Sequence, residues 1–111
     1  MKFVFRVCEE MQIFRDWLTK NNITWYDVSS NPQDIENCWI CRTHFWLNHN
    51  RWSVIHGYGT YGGYDSFLSK DYSLLELMAS PVNEGEPVGY LTGKQVIEYI
   101  EEDIKLHGNS K

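Results

Sequence analysis

Apolar and polar residues alternate through the middle of the chain in two runs, with a short polar segment between them. In the first run, one face carries Trp39, Cys41, Thr43, Phe45 and Leu47, and the other carries Cys38, Ile40, Arg42, His44 and Trp46. In the second run, one face carries Trp52, Val54, His56 and Tyr58. A period of two is typical of β-strands, and residues 48–51 (Asn-His-Asn-Arg) supply the turn. The pattern predicts a central β-hairpin at about residues 37–58.

Two other segments repeat apolar residues at helical spacing. The first, at about residues 8–20, contains Met11, Phe14, Trp17 and Leu18. The second, at about residues 92–106, contains Val96, Ile97, Ile100 and Ile104. Thr92 and Gln95 have the identities and spacing of a capping box, in which each side chain accepts a hydrogen bond from the other residue's backbone N–H. We therefore predict two amphipathic helices, and Gly108 is a suitable end for the second.

Shorter extended patterns complete the expected sheet, at residues 2–7, 23–28 and 88–91. Residues 72–78 fit either a helix or a buried strand, and we favour a strand because the central hairpin needs a neighbour along its edge. The chain therefore has the pattern of a single α+β domain with a mainly antiparallel sheet of about four to six strands. Since each helix has one apolar face, both are expected on the same side of the sheet, which leaves the other side for a partner.

Length and charge narrow the functional classes. At 111 residues and 42% hydrophobic content, the chain has the size of one domain with its own core. A net charge of −5 argues against direct binding of nucleic acid, whereas an acidic protein can dock on a basic surface of a protein or nucleoprotein. No apolar run is long enough to predict a membrane span. Three cysteines without a signal peptide indicate reduced thiols in a cytoplasm.

Cys38 and Cys41 have the residue types of a zinc site together with three nearby histidines. Those histidines are His44, His49 and His56. An offset of three along a strand points two side chains to opposite faces, so the cysteine pair does not converge on one ion. A redox role would need a helix that begins at the first cysteine, and the pattern there is extended. We interpret Cys41 as a core residue and predict neither a metal site nor a cofactor.

His44 and His56 are candidates for a general acid and base, since they could face each other on paired strands. The nearest carboxylates, Glu36 and Asp65, have no spacing that is diagnostic of a hydrolase. Residues 57–62 match the G-x-G-x-x-G fingerprint of dinucleotide-binding proteins, but no helical pattern follows them. The sequence therefore predicts no catalytic residue and no enzyme. A small metal- or His-dependent enzyme that uses this histidine pair is the alternative.

Aromatic side chains are the best candidates for a binding surface. Five of them lie in or next to the predicted hairpin: Trp46, Trp52, Tyr58, Tyr61 and Tyr64. Exposed Trp and Tyr residues anchor many protein interfaces, and the same residue types also fill cores, so both roles are open for this set. The acidic residues from Glu98 to Asp103 are interpreted as the solvated face of the second helix.

Four short motifs, taken in order, resemble segments of small accessory proteins of bacteriophages and prophages. They are residues 50–55 (Asn-Arg-Trp-Ser-Val-Ile), 61–63 (Tyr-Gly-Gly), 74–78 (Leu-Leu-Glu-Leu-Met) and 88–92 (Val-Gly-Tyr-Leu-Thr), the last opening the helix with Val96-Ile97. The resemblance implies a phage accessory protein in the cytoplasm of a bacterial host. Small acidic phage proteins include inhibitors of host defence, such as anti-CRISPR proteins, and the resemblance brings no catalytic motif with it.

The residues and the resemblance together predict non-catalytic binding to a host protein or nucleoprotein. The aromatic hairpin would supply the apolar anchors, and the acidic residues would complement a basic patch on the partner. Direct nucleic-acid binding and membrane association are not expected. A structural or assembly protein, most simply a homodimer joined along a sheet face or edge, is a further alternative.

Overall fold

The computed structural model describes residues 7–30 and 39–108. Its helices are α1 (Glu9–Lys20) and α2 (Gly93–His107). Its strands are β1 (Trp25–Asp27), β2 (Ile40–Leu47), β3 (Asn50–Gly57), β4 (Tyr64–Asp65), β5 (Lys70–Asp71), β6 (Leu75–Ala79) and β7 (Val88–Leu91). A short 3-10 turn, Asn83–Gly85, connects β6 to β7. The strand predicted at residues 2–7 lies outside the described residues except for Val7, and so does Cys38.

Five strands form one antiparallel sheet in the order β1-β2-β3-β6-β7, and β4 pairs with β5 in a separate ladder. With the two helices, this arrangement confirms the predicted α+β fold. The predicted hairpin is β2–β3, and its turn is Asn48-His49 rather than residues 48–51. Both turn residues have positive φ (52° and 69°), as in the tight turns that match the twist of paired strands. The segment predicted at residues 72–78 contains β6, a strand rather than a helix, which covers the edge of β3.

Both helices pack on one face of the sheet, which we term the inner face, as the single apolar stripe of each helix predicts. The buried sheet residues on this face are Cys41, Thr43, Phe45, Leu47, Trp52, Val54, His56, Leu75, Leu77 and Ala79. The fully buried helix residues are Met11, Phe14, Leu18, Val96 and Ile100. Phe14 lies over Phe45 with ring centroids 5.8 Å apart, and Phe45 stacks on Trp52 at 5.7 Å. The core is therefore continuous from α1 to β3.

Arg15 joins α1 to the sheet from within the core, where the residue is only 5% exposed. Its Nε donates to Thr43 Oγ1 at 2.8 Å, and its guanidinium group lies 3.5 Å from the Asp27 carboxylate and 4.7 Å from the centre of the Trp25 ring. A buried cation is costly unless it is paired and hydrogen-bonded. These contacts therefore fix the position of α1 over β1 and β2.

The start of α2 is set by the predicted capping box and by contact with α1. Thr92 Oγ1 accepts from the N–H of Gln95 at 3.2 Å, and Gln95 Oε1 accepts from the N–H of Thr92 at 2.8 Å. The N–H of Gly93 donates to Glu10 Oε1 at 2.8 Å. A Cβ on Gly93 would lie 2.5 Å from the carbonyl oxygen of Glu10, so only glycine allows the two helices to approach this closely.

The acidic residues of α2 divide between solvent and core. Glu98, Glu101 and Glu102 are exposed, as predicted. Asp103 departs from the prediction, because it is 6% exposed and its carboxylate accepts from Asn48 Nδ2 at 3.2 Å. This contact attaches the end of α2 to the β2–β3 turn. No helix in residues 7–30 and 39–108 is long and apolar enough to cross a membrane.

The segment between β3 and β6 folds over one end of the opposite face of the sheet, which we term the outer face. The N–H of Tyr61 donates to Glu76 Oε1 at 2.8 Å, and its carbonyl oxygen accepts from the N–H of Tyr90 at 3.1 Å. At the same end of the sheet, His56 on the inner face holds the β4–β5 ladder against β3, with its Nε2 2.9 Å from Asp71 Oδ1. The segment covers the end of the outer face that is remote from the β2–β3 turn and leaves the other end open.

Candidate functional site

The outer face is built from the residues that alternate with core positions along the strands. The strand register aligns one row across β1, β2, β3 and β6: Tyr26, His44, Ser53 and Met78. The row next to it on the side of the β2–β3 turn consists of Trp46 and Arg51. The row on the other side consists of Arg42, Ile55 and Glu76. Alternation therefore puts all of these side chains on the side opposite the helices.

Exposed aromatic and apolar side chains occupy the end of the outer face nearest the β2–β3 turn. Tyr26 and Trp46 are each 53% exposed, and Met78 is 44% exposed. The Tyr26 and Trp46 rings meet edge to face with centroids 5.9 Å apart, a geometry that restrains both rings. Neighbouring exposed side chains of this kind are characteristic of interaction surfaces. We use the term open end for these three side chains together with the polar residues between them: Tyr26, His44, Trp46, Arg51, Ser53 and Met78.

Two arginines make this part of the outer face positive although the whole chain carries −5. Arg51 belongs to the open end and Arg42 borders it, and neither forms a salt bridge with any residue in the described ranges. Glu76, in the row that contains Arg42, is 8% exposed and already accepts from the N–H of Tyr61. Burial, followed by the charges of Arg51 and Arg42, lowers the pKa of His44. The imidazole is therefore neutral near pH 7, and the arginines supply the positive charge.

Of the two predicted tryptophan anchors, Trp46 is exposed and Trp52 is not. Trp52 has no exposed surface and pairs with Phe45 and Ala79 on the neighbouring strands. The two-residue turn places Trp46 and Trp52 on opposite faces of the sheet, and Trp52 lies on the inner one. The structure therefore corrects the assignment of Trp52 from a binding residue to a core residue.

The predicted anchors Tyr58, Tyr61 and Tyr64 lie at the covered end of the sheet, away from Trp46. Tyr58 and Tyr64 stack with centroids 5.8 Å apart and are half-buried, whereas Tyr61 is 58% exposed. Trp46 pairs with Arg51, and the remaining length of β3 separates that pair from Tyr58 by about 20 Å; Tyr61 lies over Glu76, outside the rows that contain Trp46 and His44. The predicted set is thus divided between two surfaces, and only Trp46 belongs to the open end.

Sequence analysis assigned no binding role to Tyr26, Arg51, Ser53 and Met78 of the open end, nor to Arg42 at its border. A signal for the two arginines was present, because alternation along the paired strands assigns them to the same face as Trp46. Tyr26 and Met78 join the surface only through the strand order β1-β2-β3-β6, which no local pattern reveals. Phe67, which is 94% exposed at the tip between β4 and β5, also had no distinguishing signal.

The structure separates the two histidines that were considered as an acid–base pair. His44 lies on the outer face and His56, 1% exposed, lies on the inner face, so their rings do not face each other. His56 instead pairs across the ladder with Cys41 and contacts Asp71. Cys41 has no exposed surface, and its burial raises the pKa of the thiol despite the opposing charge of Arg15. A buried, protonated thiol is a poor nucleophile and a poor metal ligand.

No group of three or more His, Cys, Asp or Glu residues is arranged to hold a metal ion in the part of the chain that the structure describes. The glycines in residues 57–62 are followed by β4 rather than by a helix, so they lack the structural context of a dinucleotide-binding loop. Gly57 has a packing role there, because a Cβ on this residue would lie 2.4 Å from the carbonyl oxygen of Trp39.

Comparisons of the chain with protein-family models, with curated proteins and with solved structures find no match. The geometry and charge of the open end are therefore the structural observations that bear on function.

Proposed function

We propose that this protein acts by binding another macromolecule through the open end, without catalysis. The observation that carries the proposal is the pair of exposed rings, Tyr26 and Trp46, held edge to face on a sheet whose other side is fixed by the core. A restrained aromatic pair loses little conformational entropy when it is buried by a partner. Met78 extends the apolar area, and the neighbouring arginines supply hydrogen-bond donors around it.

The binding free energy that the Tyr26 and Trp46 rings can contribute is large enough for anchor residues. A fully buried Tyr or Trp side chain covers about 200 Å², so the exposed half of each ring offers roughly 100 Å² to a partner. At about 25 cal/mol per Å², burial of that area contributes about 2.5 kcal/mol per ring before the entropic costs of association. This value is in the range found for residues that dominate protein interfaces.

The specific biological form that we propose is a phage accessory protein in the cytoplasm of a bacterial host, which occludes a host protein or nucleoprotein and so inhibits anti-phage defence. Its support is the resemblance of four short motifs to segments of phage and prophage proteins. One of those motifs, residues 50–55, coincides with most of β3 and contributes Arg51 and Ser53 to the open end.

The proposal is tested by affinity capture from a bacterial lysate, followed by binding measurements with the purified partner. We expect one stoichiometric protein partner. Its affinity should fall by about tenfold or more in Trp46→Ala and in Tyr26→Ala, because each substitution removes more than about 1.4 kcal/mol of contact. Thermal unfolding of each variant checks that the fold is intact.

Tyr61→Ala is the matched control, since it removes a ring of similar exposure, 58%, that lies outside the open end. This variant should bind the captured partner with wild-type affinity. Loss of binding in Tyr61→Ala, with none in Trp46→Ala or Tyr26→Ala, would assign the binding surface to the covered end and contradict the proposal.

A further inference from the structure

We infer that the open end receives an acidic segment of the partner protein, in which carboxylates surround an apolar side chain. This inference rests on the proposed function and names the chemistry of the partner. It reverses the expectation from the sequence, in which the acidic residues of this chain meet a basic patch. The reversal follows from where the structure places the charges.

The arginines of the outer face and the exposed glutamates of α2 lie in different layers of the molecule. The outer face carries Arg42 and Arg51, whereas the exposed Glu98, Glu101 and Glu102 belong to α2, on the other side of the sheet. Packed layers lie about 10 Å apart. The Debye length at physiological ionic strength is about 8 Å, so salt largely screens the acidic residues of α2 from the open end. A partner at the open end therefore meets a positive surface.

The positive charge at this surface lacks a counter-ion in the described part of the molecule. Neither Arg42 nor Arg51 has an ion-pair partner among residues 7–30 and 39–108; Glu76 is 8% exposed and lies on the second strand from Arg42 in the same row. The depressed pKa of His44, which follows from burial and then from these two arginines, is consistent with an uncompensated positive field. Arginine forms strong, bidentate hydrogen bonds with carboxylates, so carboxylates of a partner fit this surface.

A single-stranded nucleic acid is the other anionic occupant, and the geometry favours it less. Successive bases stack on ring faces, whereas the Tyr26 and Trp46 rings lie at 81° to each other with one edge covered. Two arginines neutralise few phosphates, and the net charge of −5 opposes a long polyanion. A short segment needs only one apolar side chain against the rings and Met78, with carboxylates directed toward the arginines.

The test uses the purified full-length protein and three fluorescein-labelled probes. The first probe is a peptide of leucines flanked by glutamates, the second has glutamine in place of each glutamate, and the third is oligothymidine with the same number of negative charges as the first. Fluorescence anisotropy at low and physiological salt measures binding. We expect the acidic peptide to bind about tenfold or more tightly than either of the other probes, and to weaken as salt is raised.

Charge reversal at both arginines, R42E with R51E, should weaken binding of the acidic peptide by about tenfold or more. The matched control is K94E with K105E, which makes the same change in net charge at exposed positions of α2 and should leave the affinity within about twofold. Because Arg42 is half-buried, R42Q with R51Q is measured as well, and thermal unfolding must match that of the wild type.

Several outcomes would overturn the inference: no binding of any probe, equal binding of the neutral peptide, tighter binding of oligothymidine, or wild-type affinity in both arginine variants. Sedimentation of the protein alone tests whether a second copy of the chain occupies the open end. Salt-sensitive self-association that disappears in R42E with R51E would assign the open end to a second copy of the chain. The proposed function is judged separately, because Trp46→Ala and Tyr26→Ala report whether the open end binds the captured partner whatever its charge.

Discussion

Trp46 and Trp52 belong to the same hairpin and contribute to different properties of the protein. Trp52 has no exposed surface and stacks on Phe45 at 5.7 Å, so its whole side chain is removed from water on folding. Trp46 is 53% exposed and contacts Tyr26 at the ring edge. Because hydrophobic stabilisation follows the area removed from water, Trp52 stabilises the core, while about half of Trp46 is left for a partner.

We expect Trp52→Ala to lower the free energy of unfolding by about 3–5 kcal/mol, since loss of a buried indole leaves a cavity. Trp46→Ala should lower it by less, about 1–2.5 kcal/mol, because only about half of this side chain is removed from water on folding. Urea denaturation measures both values, and equal losses would contradict the placement of the two rings. If Trp52→Ala does not fold, Trp52→Phe replaces it, with an expected loss of about 1–3 kcal/mol.

The pKa of His44 reports the charge of the open end. Arg51→Gln removes one of the charges that lower this pKa, so the pKa should rise toward its ordinary value. An NMR titration of the imidazole measures the shift, and Lys94→Gln on α2 should leave the pKa unchanged. A pKa of His44 that is the same in Arg51→Gln and in the wild type would contradict the electrostatic description of this surface.

The sign of the linked effect on stability follows from the direction of the same pKa. Because the pKa of His44 is lower in the folded protein than in the unfolded chain, the unfolded chain binds the proton more readily. The stability associated with neutral His44 is therefore present above the unfolded pKa and decreases as pH falls through the folded pKa. His44→Gln should reduce this acid-dependent loss in a series of urea denaturations between about pH 7 and pH 5.

At the scale of secondary-structure elements, the parts that sequence analysis predicted are those with local signals. The alternation in residues 40–57 identifies β2 and β3, and Thr92 with Gln95 marks the start of α2. The order of the strands depends on long-range packing. The separate β4–β5 ladder and the place of Tyr26 in the open end therefore could not be predicted from the sequence.

The burial of Trp52, in contrast, could have been predicted from the sequence, because it follows from the pairing of the two strands and the polarity of their two faces. Any turn with an even number of residues between the two strands puts Trp52 on the face that contains Phe45 and Leu47. That face is the more apolar one, since the opposite face contains Arg42 and Arg51. The strand pairing therefore decides which of the two tryptophans is buried. The prediction treated Trp46 and Trp52 as members of one set and so did not separate the exposed ring from the buried one.

Arg15 determines how α1 is placed against β1 and β2, and its removal tests that connection. Arg15→Ala leaves the buried Thr43 hydroxyl without its donor and removes the contacts with Asp27, so we expect a loss of about 2–4 kcal/mol in unfolding free energy. Lys20→Ala, at an exposed position of the same helix, should change it by less than about 0.5 kcal/mol. A loss in Arg15→Ala as small as in this control would contradict a linking role.

At the scale of the whole molecule, the two ends of the sheet are built differently. The open end belongs to the continuous five-stranded sheet and is supported by the core. The covered end carries the separate β4–β5 ladder, whose tip exposes 94% of Phe67 and whose connection to β3 includes the contact between His56 and Asp71. Segments with few buried contacts open at lower free energy than core strands, so the two ends should respond differently to local changes.

Asp71→Ala tests this independence, because the carboxylate contacts buried His56 at 2.9 Å and also accepts from the N–H of Ser73 at 2.8 Å. We expect faster amide exchange in residues 64–71, unchanged protection in β2 and β3, and a loss of about 1–3 kcal/mol in unfolding free energy. Lys70→Ala, an exposed neighbour, should retain wild-type exchange. Since about 17 Å of β3 separates His56 from the residue paired with Trp46, binding at the open end should persist in Asp71→Ala, and its loss would show that the two ends are coupled.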